Sequence, residues 1–234
     1  MSGHGRQLVA RLQTAPADEQ ALLDWLRERH VPAALAVPGV RAVVVYRAFR
    51  VEHPARVYEP VPRFSVLHEL DPALDPTALA DDDAFLSWWG ESVATWSAWT
   101  TDHRWVVAEQ ELGPDTPPSY DRVLLTQVDV ADGFEDAWAR WYDARHVEMS
   151  LAIPGMYGPE MKRLRSRPVH GRLWHCAPSP RFTALLQLQP GADIAERMGT
   201  PEFTAAIADT QALFGGALEL RNSTMCERVH EARA

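Results

Sequence analysis

Two histidines stand in the same short context. His30 follows Trp25 and Arg29, and His146 follows Trp141 and Arg145; each opens a run to Pro-Gly, Leu35-Ala36-Val37-Pro38-Gly39 in one case and Leu151-Ala152-Ile153-Pro154-Gly155 in the other. An imidazole ionises near neutral pH and can both take and give protons, so His30 and His146 are candidate acid/base residues. The adjoining Arg29 and Arg145 carry a fixed fork of donors suited to an anionic or enolate oxygen. The competing reading is structural: each imidazole holds the Pro-Gly turn, and each Arg pairs with a nearby carboxylate. Trp25 and Trp141 read as anchors of a helix that also border any site. Tyr142 stands where the first copy has Leu26, adding a hydroxyl to one copy only. His68 is a second asymmetry, because its counterpart is Leu186. It shares a strand face with Phe64, Val66 and Leu70, and serves as a third candidate catalytic group if that face lines a cavity, or as a bonded core histidine if it meets the helices.

These pairs belong to a longer repeat. The offset from Trp25 to Trp141 is 116 residues, and it also relates Leu8–Leu12 to Leu124–Val128 and Arg47 to Arg163. From Pro62 to Pro180 the offset is 118, which relates Arg63 to Arg181, Phe85 to Phe203 and Glu109 to Glu227. The two-residue drift places a small insertion in the second copy around 165–179. Self-similarity over nearly half the chain predicts two equivalent units, 1–112 and 121–234, joined by a Pro-, Gly- and Asp-rich linker at 113–120. Each unit is long enough to bury a core.

Within one unit, Leu8–Leu12 reads as a strand, as does its β-branched counterpart 123–130. Asp18 to Ala36 has helical spacing, with Asp18 as N-cap and Pro38-Gly39 as terminator. Strands follow at 41–49 and 63–70. A helix opens at Asp81-Asp82-Asp83, with Phe85, Trp88, Trp89, Val93, Trp96 and Trp99 at helical spacing; Thr200-Pro201 opens its counterpart. A fourth strand spans 105–111. The order β-α-β-β-α-β is the ferredoxin-like unit, an antiparallel sheet with both helices on one face. Two such units would stack their open faces and enclose a cavity between them, where the site is expected.

The formal charge of −9, a single lysine and the lack of any basic run disfavour a nucleic-acid partner. No apolar stretch reaches membrane-spanning length and the N-terminus lacks an apolar signal segment, so a soluble cytoplasmic protein is expected. Cys176 and Cys226 form no metal-ligand or disulfide pattern. His170, His175 and Cys176 cluster near the insertion without repeated ligand spacing, so no metal is expected, with haem as the alternative.

The repeated Trp-x-x-x-Arg-His-Val, the Leu-Ala-(Val/Ile)-Pro-Gly that follows it, the strand arginines Arg47 and Arg163, and Thr200-Pro201-Glu202-Phe203 together resemble the dimeric α/β-barrel superfamily, nearest to its EthD-type domains, over nearly the whole chain. The resemblance implies an α+β fold in which tandem ferredoxin-like repeats form an intramolecular, pseudo-dimeric barrel. It also implies a small-molecule partner, with further homo-oligomerisation open. The superfamily holds cofactor-free monooxygenases, isomerases, dehydratases, cyclases and haem enzymes, so fold does not choose the reaction. The expectation is a cofactor-independent lyase, cyclase or isomerase acting on a small apolar, aromatic or polyketide-like natural-product intermediate. A cofactor-free monooxygenase and a non-catalytic binding protein are the alternatives.

Overall fold

The structure is a computed structural model describing residues 5–54, 56–114, 120–170, 175–176 and 180–234. Its centre is a closed antiparallel barrel of eight strands: β1 (Arg6–Thr14), β2 (Val40–Phe49), β5 (Phe64–Leu70), β6 (Thr100–Leu112), β7 (Arg122–Val130), β8 (Tyr157–Arg167), β11 (Phe182–Leu188) and β12 (Leu218–Arg233). The order around it is β1-β5-β2-β12-β7-β11-β8-β6. Two ribbons, β3–β4 (Val51–His53 and Arg56–Tyr58) and β9–β10 (Val169–His170 and His175–Cys176), lie outside the barrel sheet. Closure removes the free edges that an open sheet would present.

The seams join the last strand of each repeat to the second strand of the other, β2 to β12 and β6 to β8. An ion pair ties each one. Arg47 meets Glu227 at 2.5 Å across the first seam, and Arg163 meets Glu111 across the second, with Asp143 at 2.7 Å on its other nitrogen. The aligned partner of Glu227 is Glu109, yet Glu111 makes the equivalent contact, because the β6–β8 register shifts between Gln110 and Leu112. A bulge moves a side chain that an alignment places elsewhere.

Among the described residues four longer helices pack on the outside of the barrel, with two four-residue helices at Pro76–Leu79 and Ile194–Arg197. The first, α1, covers 19–35 and has a π-helical turn at Leu26–His30; α3, over 135–151, has the same turn at Tyr142–His146. In each, the N–H of the following valine donates five residues back, Val31 to Leu26 and Val147 to Tyr142. Both helices end at Pro-Gly, where Gly39 and Gly155 adopt φ of 91° and 67°, a region that favours glycine. Asp18 occupies the N-cap position of α1 without a side-chain bond. By contrast, Asp82 accepts from the Phe85 amide at the start of α2 (Asp83–Trp96), and Thr200 accepts from Phe203 at the start of α4 (Pro201–Phe214). No helix among the described residues is long and apolar enough to cross a membrane.

The barrel interior corrects the expected position of the cavity. Strand partners share a face, so Val9, Leu67 and Val44 point inward together, as do Leu125 and Leu185. They join Tyr46, Leu164 and Cys226 in one buried cluster drawn from both repeats. The faces that the repeats turn toward each other are packed together, and the cavity lies on the opposite, helix-covered face of the second repeat.

Candidate functional site

The cavity has a volume of about 150 Å³ and lies between the outer face of β7, β11 and β12 and the helices α3 and α4. Leu124, Val128, Ala184 and Leu186 form its floor, and Phe203, Ala206 and Ile207 form one wall. Trp138, Trp141, Tyr142, His146 and Ser150 of α3 form another. The β3–β4 ribbon from the first repeat reaches over to add Arg56 and Tyr58, and Tyr157 lines the same space.

The equivalent space in the first repeat is filled. At the 118-residue offset, Ala206 and Ile207 replace Trp88 and Trp89, and Leu186 replaces His68. Both indoles are buried, packed edge-on or tilted against His30, His68 and Trp96, with Trp89 stacked on Phe85. Two large side chains lost from one helix face leave a void that backbone relaxation does not close.

His30 and His68 are 1% and 0% exposed and neither lines the cavity. Their bonds determine their tautomers. His68 Nδ1–H donates to the Leu8 carbonyl at 3.1 Å, so its Nε2 accepts from His30 Nε2–H at 2.8 Å. His30 Nδ1 then accepts from the Ser92 hydroxyl at 3.0 Å. All four ring nitrogens are satisfied with both rings neutral. Burial pushes the pKa of His68 down to about 4 and that of His30 well below its usual value, with the neighbouring His68 adding to the latter shift. Of the two positions open to His68, the structure places it facing the helices, bonded to His30, and neither histidine reaches the cavity.

His146 has a different environment. Its Nδ1 lies 3.4 Å from Thr210 Oγ1, whose own proton goes to the Ala206 carbonyl at 2.9 Å, so Nδ1–H is the donor and Nε2 keeps its lone pair. Among the described residues Nε2 has no hydrogen-bond partner. Burial lowers its pKa to about 4 against the opposing pull of Asp209, so the ring is a neutral acceptor at neutral pH. Trp141 and Tyr142 each pack against it with tilted rings at a centroid distance of 5.0 Å.

Among the described residues the Tyr142 hydroxyl and the Trp138 indole N–H have no hydrogen-bond partner, both are buried, and both residues line the cavity. An unmade hydrogen bond at a buried donor costs about 1–3 kcal/mol. Burial raises the Tyr142 pKa, which keeps the phenol protonated.

The remaining expected site residues are placed as follows. Arg29 is exposed. Arg145 pairs with Asp209 at 2.5 Å, and the same carboxylate accepts from Trp141 Nε1 at 3.0 Å, so Arg145 is tied to the helix surface and does not line the cavity. Trp25 packs in the first repeat against His30, Trp96 and Trp99. Trp141 and Tyr142 do line the cavity. Arg56, Tyr58, Tyr157 and Thr210 were not anticipated. The loss of Trp88 and Trp89 from the second copy was the sequence signal that could have located the cavity.

The side chains of His170, His175 and Cys176 lie outside the described residues. Among those described, no group of three or more His, Cys, Asp or Glu is arranged to hold a metal.

No family model and no curated protein matches this sequence. Solved structures do. An anthrone oxidase-like protein shares 14% identity over 100% of this chain and 94% of its own, with a TM-score of 0.64. A Fusobacterium nucleatum protein, provisionally named a monooxygenase, shares 10% over 100% of this chain and 96% of its own, at 0.59. A protein provisionally named a chlorite dismutase shares 11% over 97% and 95%, at 0.56. At these identities the likeness is one of fold: the chain has the dimeric α/β-barrel fold, as its motifs implied.

Proposed function

We propose that this chain is a cofactor-independent enzyme that binds a small, largely apolar, aromatic or polyketide-like carbonyl compound in the second-repeat cavity and moves a proton on it. One observation carries the reading: a neutral imidazole with a free Nε2 and two unpartnered buried donors line the same apolar space. Tyr142 O–H and Trp138 N–H donate to the substrate carbonyl oxygen, and His146 Nε2 takes a proton from the adjacent carbon. Negative charge developing on that oxygen raises the basicity of the imidazole beside it. Return of the proton at another carbon completes an isomerisation, and its delivery to a departing β-hydroxyl, which leaves as water, completes a dehydration; attack of the carbanion on a second carbonyl carbon of the same molecule, whose oxygen takes the proton, closes a ring. The two repeats act in this reading as the fused halves of a pseudo-dimer, 1–112 and 121–234 joined through 113–120, with the site in the second.

The whole-length fold likeness to the anthrone oxidase-like protein favours a second reading. The same deprotonation at a ring methylene gives a carbanion that reacts with dioxygen, the CH2 becoming C=O with release of water. An oxygen electrode separates the two.

The test uses 2-tetralone, a bicyclic ketone with acidic methylene hydrogens. Deuterium exchange is followed by NMR in wild type, His146→Gln and Tyr142→Phe. General base catalysis contributes about 10²–10⁴-fold, so His146→Gln loses at least a hundredfold of the catalysed exchange. Tight binding with exchange no faster than in buffer alone would leave a non-catalytic binding protein instead.

A further inference from the structure

We infer that Arg56 is a carboxylate-binding residue at one end of the cavity, so that the molecule taken by this site is an apolar or aromatic acid. The inference deepens the proposed function and rests on the same cavity.

Among the described lining residues Arg56 is the sole formally charged side chain, and none of them is a carboxylate. The sequence holds 32 acidic residues against 23 basic ones, which makes a guanidinium lacking a carboxylate conspicuous. Nearby arginines are occupied. Arg50, at the base of the same ribbon, takes Glu52 at 2.5 Å and Glu59 at 2.9 Å, and Arg63 takes Glu19 at 2.6 Å. Among the described residues no carboxylate lies within ion-pair range of Arg56. Its guanidinium carbon instead sits 4.6 Å from the centroid of the Tyr58 ring. Stacking holds the plane of a guanidinium while leaving its N–H edge available, and that edge matches a carboxylate with two parallel bonds.

The neighbours continue the polar end. Tyr58 is within hydrogen-bond reach of Ser223, and Ser223 Oγ lies 3.3 Å from Thr126 Oγ1. Tyr157 feels the charges of Tyr58, Tyr142 and Arg56, and Tyr142 packs against His146 with ring centroids 5.0 Å apart, so Arg56 and the imidazole border one continuous space. A ligand carboxylate on Arg56 would direct the opposite end of an apolar ring system toward the imidazole. The ribbon comes from the first repeat, so the anion-binding residue and the proton-transfer residue belong to different copies.

The test measures binding by calorimetry with 2-naphthoate and its neutral isostere 2-naphthamide. Wild type is expected to prefer the carboxylate by tenfold or more, and added salt reduces the preference. Arg56→Gln brings the naphthoate affinity to that of the amide and leaves the amide affinity as it was, while Arg56→Lys keeps part of the preference as a point charge. Equal affinities in wild type, a preference that survives Arg56→Gln, or equal loss of both ligands would overturn the assignment. The 2-tetralone exchange uses an uncharged compound and reads chemistry at His146. Its failure with the naphthoate preference intact would remove the proposed reaction alone, and the converse would remove only the carboxylate site.

Discussion

Ala206→Trp should close the cavity and stabilise the protein at once. The substitution copies Trp88, the aligned residue of the first repeat, onto a helix face that is already buried, Ala206 being 3% exposed. Cavities cost about 24 cal/mol per Å³, so filling all of 150 Å³ has a ceiling near 3.6 kcal/mol. Fitting an indole into a space shaped by other residues costs about 1–3 kcal/mol in strain. The difference leaves a gain of about 1–2 kcal/mol, which for a chain of this length raises Tm by roughly 2–8 °C. Differential scanning calorimetry measures the gain, and calorimetric titration with 2-naphthamide measures the loss of the site. The reasoning is refuted if Ala206→Trp binds the amide as wild type does, because the ligand would then sit elsewhere. A lower Tm together with unchanged binding would refute the cavity itself.

Acid should destabilise the fold through the first-repeat histidines. Both are held neutral with lowered pKa, so between about 6.5 and 4 the unfolded chain binds more protons than the native one, and stability rises with pH across that window. His68 alone accounts for about 3 kcal/mol lost on reaching pH 4, at 1.36 kcal/mol per unit. Urea titrations at neutral pH and near pH 4 check this, and a His30→Leu/His68→Leu variant with equally steep pH dependence would contradict it. His68→Leu by itself strands the His30 Nε2 proton and should cost about 1–3 kcal/mol, read from the urea midpoint. Catalysed exchange of 2-tetralone should show no titration near the ordinary histidine pKa of 6.5, because His146 stays neutral until about 4; a half-maximal rate near 6.5 would mean a solvated imidazole.

The sequence was legible wherever the physics is local. Proline and glycine stop a helix whatever surrounds them, so Pro38-Gly39 and Pro154-Gly155 marked the ends of the first and third helices. Asp82 and Thr200 cap helices through amides three residues away. The Asp18 side chain, expected to do the same, makes no such bond. The β-branched runs became strands within a residue or two of their expected limits, apart from the fourth, which extends to Thr100. The β3–β4 ribbon was not anticipated, because Val51–His53 and Arg56–Tyr58 are too short to carry a period. With it went Arg56 and Tyr58, whose place in the cavity depends on a crossing from one repeat to the other.

Sequence by itself determined that one pattern of strands and helices occurs twice, and that the two copies differ at Leu26 and Tyr142 and at His68 and Leu186. Tertiary structure decided what those differences mean. Two histidines 38 residues apart in the chain become one bonded pair because β5 and α1 pack face to face, and that pairing neutralises both. His146, in the same motif, shares a cavity with Leu186 where His30 is bonded to His68, and with Ala206 and Ile207 where the first copy has two tryptophans. A void is a property of summed side-chain volumes across several elements, so no single motif encodes it. The same six-residue context therefore leaves one imidazole sealed in the core and the other facing an open space.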